Sequence, residues 1–176
     1  MKRFTDAGRM AIAAKNHYAA LSLALMIPDI CGSLEDPGTG KSQKRYERWF
    51  SKWAEPKFTI SGKIFLSSSD CFQLRCSLIH SGSTEIDAKK RDVLDRIEFF
   101  DDSGGAHLGW LEGNTVNGVK QPNTLVLVAS KFSETMYQAA DEWDAASANE
   151  PSIQALKTNL TVIRSKGFAT QGIQFG

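Results

Sequence analysis

Two side chains that could do chemistry, Arg75 and His80, lie in one short segment with four residues between them. An arginine guanidinium presents a planar fork of donors that fits a carboxylate or a phosphate. A histidine exchanges protons near neutral pH, so it can serve as a general acid or a general base. The two residue types together could bind an anionic group and move a proton beside it.

The segment that carries these two residues is predicted to be a short helix that ends at Gly82. Residues able to cap a helix start precede it, namely Ser67, Ser68, Ser69 and Asp70. At about 100° per residue, its large apolar side chains form one broad sector, which consists of Phe72, Leu78 and Ile79. Arg75 projects inside this sector, and His80 lies on the opposite side in a stripe with Gln73 and Ser77.

The placement of Arg75 on an apolar side requires a partner, because an unpaired charge is costly to bury. Asp29 and Glu35 are the candidate carboxylates, both near the end of the first predicted helix. A structural interpretation makes Arg75 a buried anchor and gives His80 a hydrogen bond to a carbonyl at the helix end. In a functional interpretation, the pair is catalytic or contacts nucleic acid. Both can hold, since a carboxylate partner would also orient Arg75 toward a phosphate.

The composition indicates an ordinary globular domain. The 176 residues fit one domain, residues 1–176, with 41% hydrophobic and 23% charged residues. The net charge of +1 excludes a global positive field, so nucleic-acid binding would need a local patch.

Three cysteines, Cys31, Cys71 and Cys76, are interpreted as reduced core residues. They show no zinc-like spacing, and we expect neither a metal nor a cofactor.

The apolar run over residues 18–27 resembles the hydrophobic part of a secretory signal. However, Pro28 and Asp29 follow it where a small-residue cleavage site would be expected. The run is also too short to span a bilayer. We therefore expect a cytoplasmic protein without a membrane partner, with export as the alternative.

The first part of the chain is predicted to form two helices before the one that carries Arg75. The first runs over residues 5–27, where Pro28 kinks or ends it and Gly32 stops any further turn. The second runs over residues 42–54. Its aromatic side chains at spacings of three and four predict a core face, formed by Tyr46, Trp49, Phe50 and Trp53. Its other side carries Lys44, Arg45 and Arg48, which form either a solvated face or a phosphate-binding patch.

Residues 56–62 are predicted to be a linker.

The second part is predicted to be a small antiparallel β insert, residues 90–130, followed by helices. Strands are expected over residues 93–100, 107–110, 115–119 and 125–128. Ser133 is expected to cap a long helix, one face of which consists of Phe132, Met136, Ala140 and Trp143. A last helix is expected over residues 151–164, and residues 167–176 are expected to be a flexible tail. The fold class is therefore mainly α, and α+β overall.

The run Arg75-Cys76-Ser77-Leu78-Ile79-His80, at the end of a helix, resembles the Arg-x4-6-His signature of the HEPN superfamily. The resemblance covers residues 10–82, and residues 132–146 would add a further helix of the bundle. It implies a HEPN-like helical bundle. The chain departs from the family pattern at Cys76, where catalytic members usually carry Asn, Asp or His directly after the arginine.

The resemblance implies a metal-independent endoribonuclease of the toxin or phage-defence type. It would act as a homodimer on RNA, with His80 as general acid/base and Arg75 as phosphate clamp. Gln73 and Ser77 would support His80, Asp29 would support Arg75, and an antitoxin could be a further partner. RNA supplies its own nucleophile, the 2′-OH, so the chemistry needs proton transfer and charge stabilisation but no metal.

Two other functions remain open at this point. One is a non-catalytic HEPN-fold module for dimerisation or for binding a nucleotide or a partner protein, which Cys76 and the near-zero net charge favour. The other is a helical scaffold whose β insert docks a partner strand at its edge.

Overall fold

The computed structural model describes residues 1–38, 40, 42–87, 89–90, 92–103, 107–164 and 167–175. The fold is mixed, with 52% of residues in helices and 16% in strands of small sheets. The described residues form six α-helices: α1 (Lys2–Ala13), α2 (His17–Glu35), α3 (Ser42–Trp53), α4 (Ser68–Ser81), α5 (Ala129–Ala146) and α6 (Pro151–Lys157). This architecture agrees with the predicted α+β class.

The predicted first helix, residues 5–27, is in fact two helices, so that prediction is wrong. The chain breaks between α1 and α2 at Lys15, whose φ of 56° is left-handed and incompatible with a continuing helix. Asn16 then caps α2 by accepting the N–H of Ala19 at 3.1 Å. The helix also continues past Pro28 and Gly32 as far as Glu35.

Gly32 lies inside α2 and does not end it. Its role is to allow a close contact between α2 and α3. A Cβ at Gly32 would lie 2.8 Å from the carbonyl oxygen of Arg45. Glycine is therefore the residue that lets the backbones of the two helices approach this closely.

The second predicted helix is confirmed as α3, and so is its aromatic core face. Tyr46, Trp49 and Phe50 are fully buried, and Trp53 is half-buried. After α3 the predicted linker contains ordered structure: a 3₁₀ turn over Glu55–Phe58 and the first strand of a hairpin, β1 (Thr59–Ile60) with β2 (Lys63–Ile64). Phe58 is fully buried against the aromatic face, which holds the turn in place.

The main sheet has three strands in the order β3-β7-β4, formed by Arg96–Phe100, Thr124–Val128 and Gly109–Leu111. The prediction of an antiparallel insert is wrong for one pair. Strands β4 and β7 are antiparallel, but β3 and β7 are parallel. The chain over residues 101–123 is long enough for the crossover that a parallel pair requires. It also contains a small hairpin, β5 (Thr115–Val116) with β6 (Val119–Lys120).

Helix α5 starts at Ala129, directly after β7, and Ser133 is fully buried inside it instead of capping it. Its predicted apolar face is confirmed, because Phe132, Met136, Ala140 and Trp143 are all buried. Helix α6 ends at Lys157, earlier than the predicted residue 164. The segment expected to be a flexible tail contains a hairpin, β8 (Phe168–Thr170) with β9 (Ile173–Phe175), in which residues 168–174 are exposed.

Helix α2 is the central helix of the bundle and packs against α1, α3 and α5. It is longer than the apolar run predicted over residues 18–27: with 19 residues and a mean hydropathy of 1.2 it could cross a membrane by length and composition alone, and half of that window is buried inside the protein. Its buried side chains are small or aliphatic and include Ala20, Leu21, Ala24, Leu25 and Ile27.

Candidate functional site

The structure pairs Arg75 with Asp29, one of the two carboxylates expected from the sequence. Nε of Arg75 donates to Oδ2 of Asp29 at 2.8 Å, which joins α4 to α2. The side chains are 25% and 23% exposed, so the pair lies at the boundary between core and solvent. Glu35, the other candidate, instead accepts the indole N–H of Trp143 at 2.7 Å.

The pair is electrostatically coupled to its surroundings. Burial opposes the charge of Arg75, but the attraction of Asp29 and the contact with the Cys76 thiol outweigh it and raise the pKa of the guanidinium. Burial raises the pKa of the Asp29 carboxyl, and the positive charges of Arg75 and Arg45 limit that rise. The positive charges of two arginines thus act on the Asp29 carboxylate.

The motif helix α4 begins and ends as predicted. The Ser67 hydroxyl accepts the N–H of Asp70 at 3.1 Å, which caps the helix start. Gly82 ends the helix with a left-handed φ of 65°. The prediction that Ile79 belongs to a buried apolar sector is wrong, because this side chain is 41% exposed. On the neighbouring face, Cys71 and Leu74 are fully buried.

His80 is exposed at the end of α4 and does not share a face with Arg75. Five positions along an α-helix correspond to a rotation of about 140° and a rise of about 7.5 Å. In the stripe expected beside His80, the Ser77 hydroxyl donates to the carbonyl of Glu85 at 2.8 Å, and Gln73 is buried. One chain therefore brings together Arg75, Asp29 and Cys76 and leaves His80 apart from them.

On the basic side of α3, two arginines bind the loop after α2, and one lysine forms no ion pair among the described residues. Arg45 donates to the carbonyl oxygens of Asp36 and Gly38, at 3.3 and 3.0 Å, and so closes the loop after α2. Arg48 forms an exposed ion pair with the Asp36 carboxylate at 3.0 Å. Within the described ranges, Lys44 is exposed and forms no ion pair.

Sequence reasoning missed the role of Asp70, which it treated only as a capping candidate. Asp70 is fully buried at the start of α4 and accepts three backbone N–H groups. Its Oδ1 atom binds the N–H of Asp92 at 2.8 Å, and its Oδ2 atom binds those of Val93 and Leu94 at 2.8 and 3.1 Å. Asp70 thus fixes the β region to the motif helix. No local signal reveals this, because the donors lie more than twenty residues away.

No protein-family model, curated protein or solved structure matches the chain significantly. In the part of the chain that the structure describes, no group of three or more His, Cys, Asp or Glu side chains is placed to hold a metal ion. The site is defined by its own geometry: the mostly buried Arg75–Asp29 pair between α4 and α2, the basic helix α3, and the exposed His80 at the end of α4.

Proposed function

We propose that this chain is a HEPN-like, metal-independent endoribonuclease of the toxin or phage-defence type that acts as a cytoplasmic homodimer. One observation carries the proposal. Arg75 is anchored by Asp29 through Nε, while a quarter of its side chain remains exposed to solvent. Among the described residues, its one oxygen partner is Asp29, at Nε, and the Cys76 thiol is a further contact. We infer that the Nη end of the guanidinium binds two oxygens of a phosphate.

Arg75 would act as the phosphate clamp. The carboxylate of Asp29 fixes the guanidinium before substrate binds, so little side-chain freedom is lost on binding. A fixed guanidinium stabilises the negative charge that develops on the non-bridging phosphate oxygens in the transition state. Lys44, exposed on the neighbouring helix α3, could contact the RNA backbone farther along the strand.

His80 would transfer the protons. The ribose 2′-OH loses its proton to a general base and attacks phosphorus, and the bond from phosphorus to the 5′-oxygen breaks. A general acid returns a proton to that oxygen, which gives a 2′,3′-cyclic phosphate and a 5′-hydroxyl. Atoms and charges balance without a metal or a redox partner.

A homodimer supplies what one chain lacks. Because Arg75 and His80 lie on different sides of α4, they are poorly placed to meet one phosphate within a monomer. Two copies related by a two-fold axis could place the exposed His80 of one chain beside Arg75 of the other. Two histidines in a shared cleft would also provide one base and one acid.

RNA cleavage in EDTA tests the proposal, with wild type compared with His80→Ala and Arg75→Lys. Loss of general acid–base catalysis should slow cleavage by about 10²–10⁴-fold. Arg75→Lys keeps a charge for Asp29 but loses the two-oxygen fork, so it should fold and cleave about 10²-fold more slowly. Ser81→Ala and Arg96→Ala are matched controls, since Ser81 is an exposed neighbour of His80 and Arg96 an ion-paired arginine elsewhere. Cleavage that persists in His80→Ala would remove this histidine from the mechanism.

The second candidate is a non-catalytic HEPN-fold module for dimerisation or for binding a nucleotide or partner protein. Cys76 favours it, because a half-buried thiol occupies the position where catalytic members carry a polar side chain. This candidate predicts no cleavage by wild type but a dimer in light scattering. Cys76→Asn separates the two further, since a gain of cleavage in this variant would show that the rest of the site is intact.

A further inference from the structure

Strand β3 lies at one edge of the sheet, and only the first half of that edge is covered. The segment after α4 pairs with it through two backbone bonds, from Ile86 N–H to the Asp95 carbonyl and from Ile97 N–H to the Thr84 carbonyl, at 3.2 and 3.3 Å. Glu85 and Arg96 form the antiparallel bridge between these bonds. Before Thr84 the chain turns away into the end of α4, so this pairing stops at Ile97.

The next outward position on β3 is Phe99. Backbone groups of a strand alternate between its two neighbours, and Arg96 N–H is directed to the Asn123 carbonyl beside β7. Ile97 therefore faces the free edge, as its bond to Thr84 shows, and Phe99 does so again two residues later. In the described part of the chain no backbone group pairs with Phe99 on this side. Open edges of this kind accept an added strand.

A cleft of about 320 Å³ lies directly against this open edge. Its apolar walls include Tyr18, Leu78 and Phe100, of which Tyr18 is 82% exposed and Phe100 47% exposed. This volume is at the lower end of ligand pockets, enough for one or two side chains. His17 also lines the cleft, and its Nδ1 atom is buried without a hydrogen-bond partner among the described residues.

The rim of the cleft is mainly acidic. Glu98 and Asp101 line it, and Glu85 lies on the covered half of the same edge. Arg96 contacts Glu85 and Glu98, at 3.2 and 3.6 Å, and Lys15 and His17 act electrostatically on Asp101. Three carboxylates thus face two permanent cations, Arg96 and Lys15, and the excess negative charge near the open edge favours an occupant with a basic side chain.

We propose that the open edge of β3 at Phe99 binds an extended peptide of a partner protein as an added strand, with a large apolar side chain in the cleft and a basic residue beside it. Main-chain bonds to Phe99 would supply affinity, and the cleft and its carboxylates would supply specificity. The proposal is independent of RNA cleavage, since the cleft lies on the Leu78 side of α4 and His80 on the other.

Selection from a displayed library of random eight-residue peptides tests the proposal. We expect enrichment of extended sequences that combine an aromatic or aliphatic residue with Lys or Arg. The best peptide should protect the Phe99 amide from hydrogen exchange. A version N-methylated at alternate residues keeps the side chains but loses the donors, and it should bind at least about tenfold more weakly.

Tyr18→Ala should weaken binding of the selected peptide by a similar factor, while Met10→Ala, at an exposed apolar residue on α1, should not. The proposal is overturned if no peptide is enriched, if the N-methylated peptide binds equally well, or if the Phe99 amide stays unprotected. Protection of this amide by self-association without peptide would identify a second copy of the chain as the occupant and would equally overturn it.

Discussion

Nε of Arg75 lies 2.8 Å from Oδ2 of Asp29, so a single ion pair links the motif helix to the central helix of the bundle. Each side chain is about three-quarters buried, and loss of either leaves the other charge poorly solvated. We expect Asp29→Asn and Arg75→Gln each to lower the free energy of unfolding by about 1–3 kcal/mol, and the double variant to lose less than the sum. Urea denaturation of all four proteins measures the coupling.

The exposed pair between Lys2 and Asp6 on α1 provides the control for this cycle. Because the Lys2 side chain is 86% exposed and that of Asp6 48% exposed, their coupling should be no more than about 0.5 kcal/mol. Equal coupling in the two cycles would mean that burial does not strengthen the Arg75–Asp29 pair.

Asp70 should be the strongest determinant of stability in the β region. Asp70→Ala leaves three backbone N–H groups without an acceptor and should cost at least about 2 kcal/mol. Asp70→Asn should cost less, because one carbonyl oxygen can keep the bonds to Val93 and Leu94. Hydrogen exchange at these amides reports the loss directly. Asp87→Ala, which removes an exposed turn acceptor, should leave their protection unchanged.

The close approach of α2 and α3 makes Gly32 intolerant of a side chain. A Cβ at this position would lie 2.8 Å from a backbone carbonyl that cannot rotate away, so the helices must separate. We expect Gly32→Ala to lower the free energy of unfolding by about 1–3 kcal/mol, despite the better helix propensity of alanine. Gly40→Ala is the control, since among the described residues no atom outside Gly40 and its chain neighbours lies within 4 Å of a Cβ added there. A stabilised Gly32→Ala protein would contradict the observed contact.

His107 should make stability depend on pH. Its Nδ1 atom accepts the N–H of Val128 at 3.2 Å, which requires the neutral ring, and burial together with the charge of Lys131 lowers the pKa of His107 below the ordinary 6.5. Protonation therefore favours the unfolded chain. The stabilising contribution is complete above about pH 6.5 and is lost as the pH falls toward the folded-state pKa.

This dependence is measured by thermal unfolding between pH 5 and 8. His107→Asn keeps an acceptor for the Val128 N–H but does not titrate, so its stability should fall less steeply below pH 6.5. An identical slope in wild type and variant would assign the effect to another group.

The three cysteines should differ in reactivity. Cys31 and Cys71 are fully buried, and burial raises the pKa of the Cys71 thiol to about 12, whereas Cys76 is partly exposed. We expect a thiol reagent to modify one cysteine in the native protein and all three after denaturation. Mass spectrometry of digested protein locates the modified residue. Rapid native modification at Cys71 would contradict the packing around Tyr46 and α4.

Local signals in the sequence predict most of the helices, but they predict only some of the residues at which the helices begin and end. The start and end of α4 were predicted because Ser67 and Gly82 act on neighbouring backbone groups. The cost of burying a charge predicted a carboxylate partner for Arg75, with Asp29 and Glu35 as the candidates, and Asp29 is the one observed. The break at Lys15 was missed, because Ala and Leu on both sides favour an unbroken helix.

Long-range relationships could not be predicted in this way. The parallel pairing of β3 with β7 depends on how residues 101–123 cross over, which strand patterns do not encode. The three bonds to Asp70 join distant parts of the chain, and the contact of Gly32 with Arg45 depends on how two helices cross. The exposure of Ile79 likewise depends on where neighbouring helices end, which the rotation of α4 alone does not show.

The parallel pairing of β3 with β7 also imposes an order on folding. Helices α1, α2 and α3 follow one another along the chain and can pack as soon as they are made, whereas β3 must wait for Thr124. Closing that loop costs chain entropy before any bond of the ladder compensates for it. During synthesis β3 is therefore unpaired on its β7 side for the whole interval between Phe100 and Thr124. In this interval the unpaired edge of β3 is open to pairing with a wrong strand.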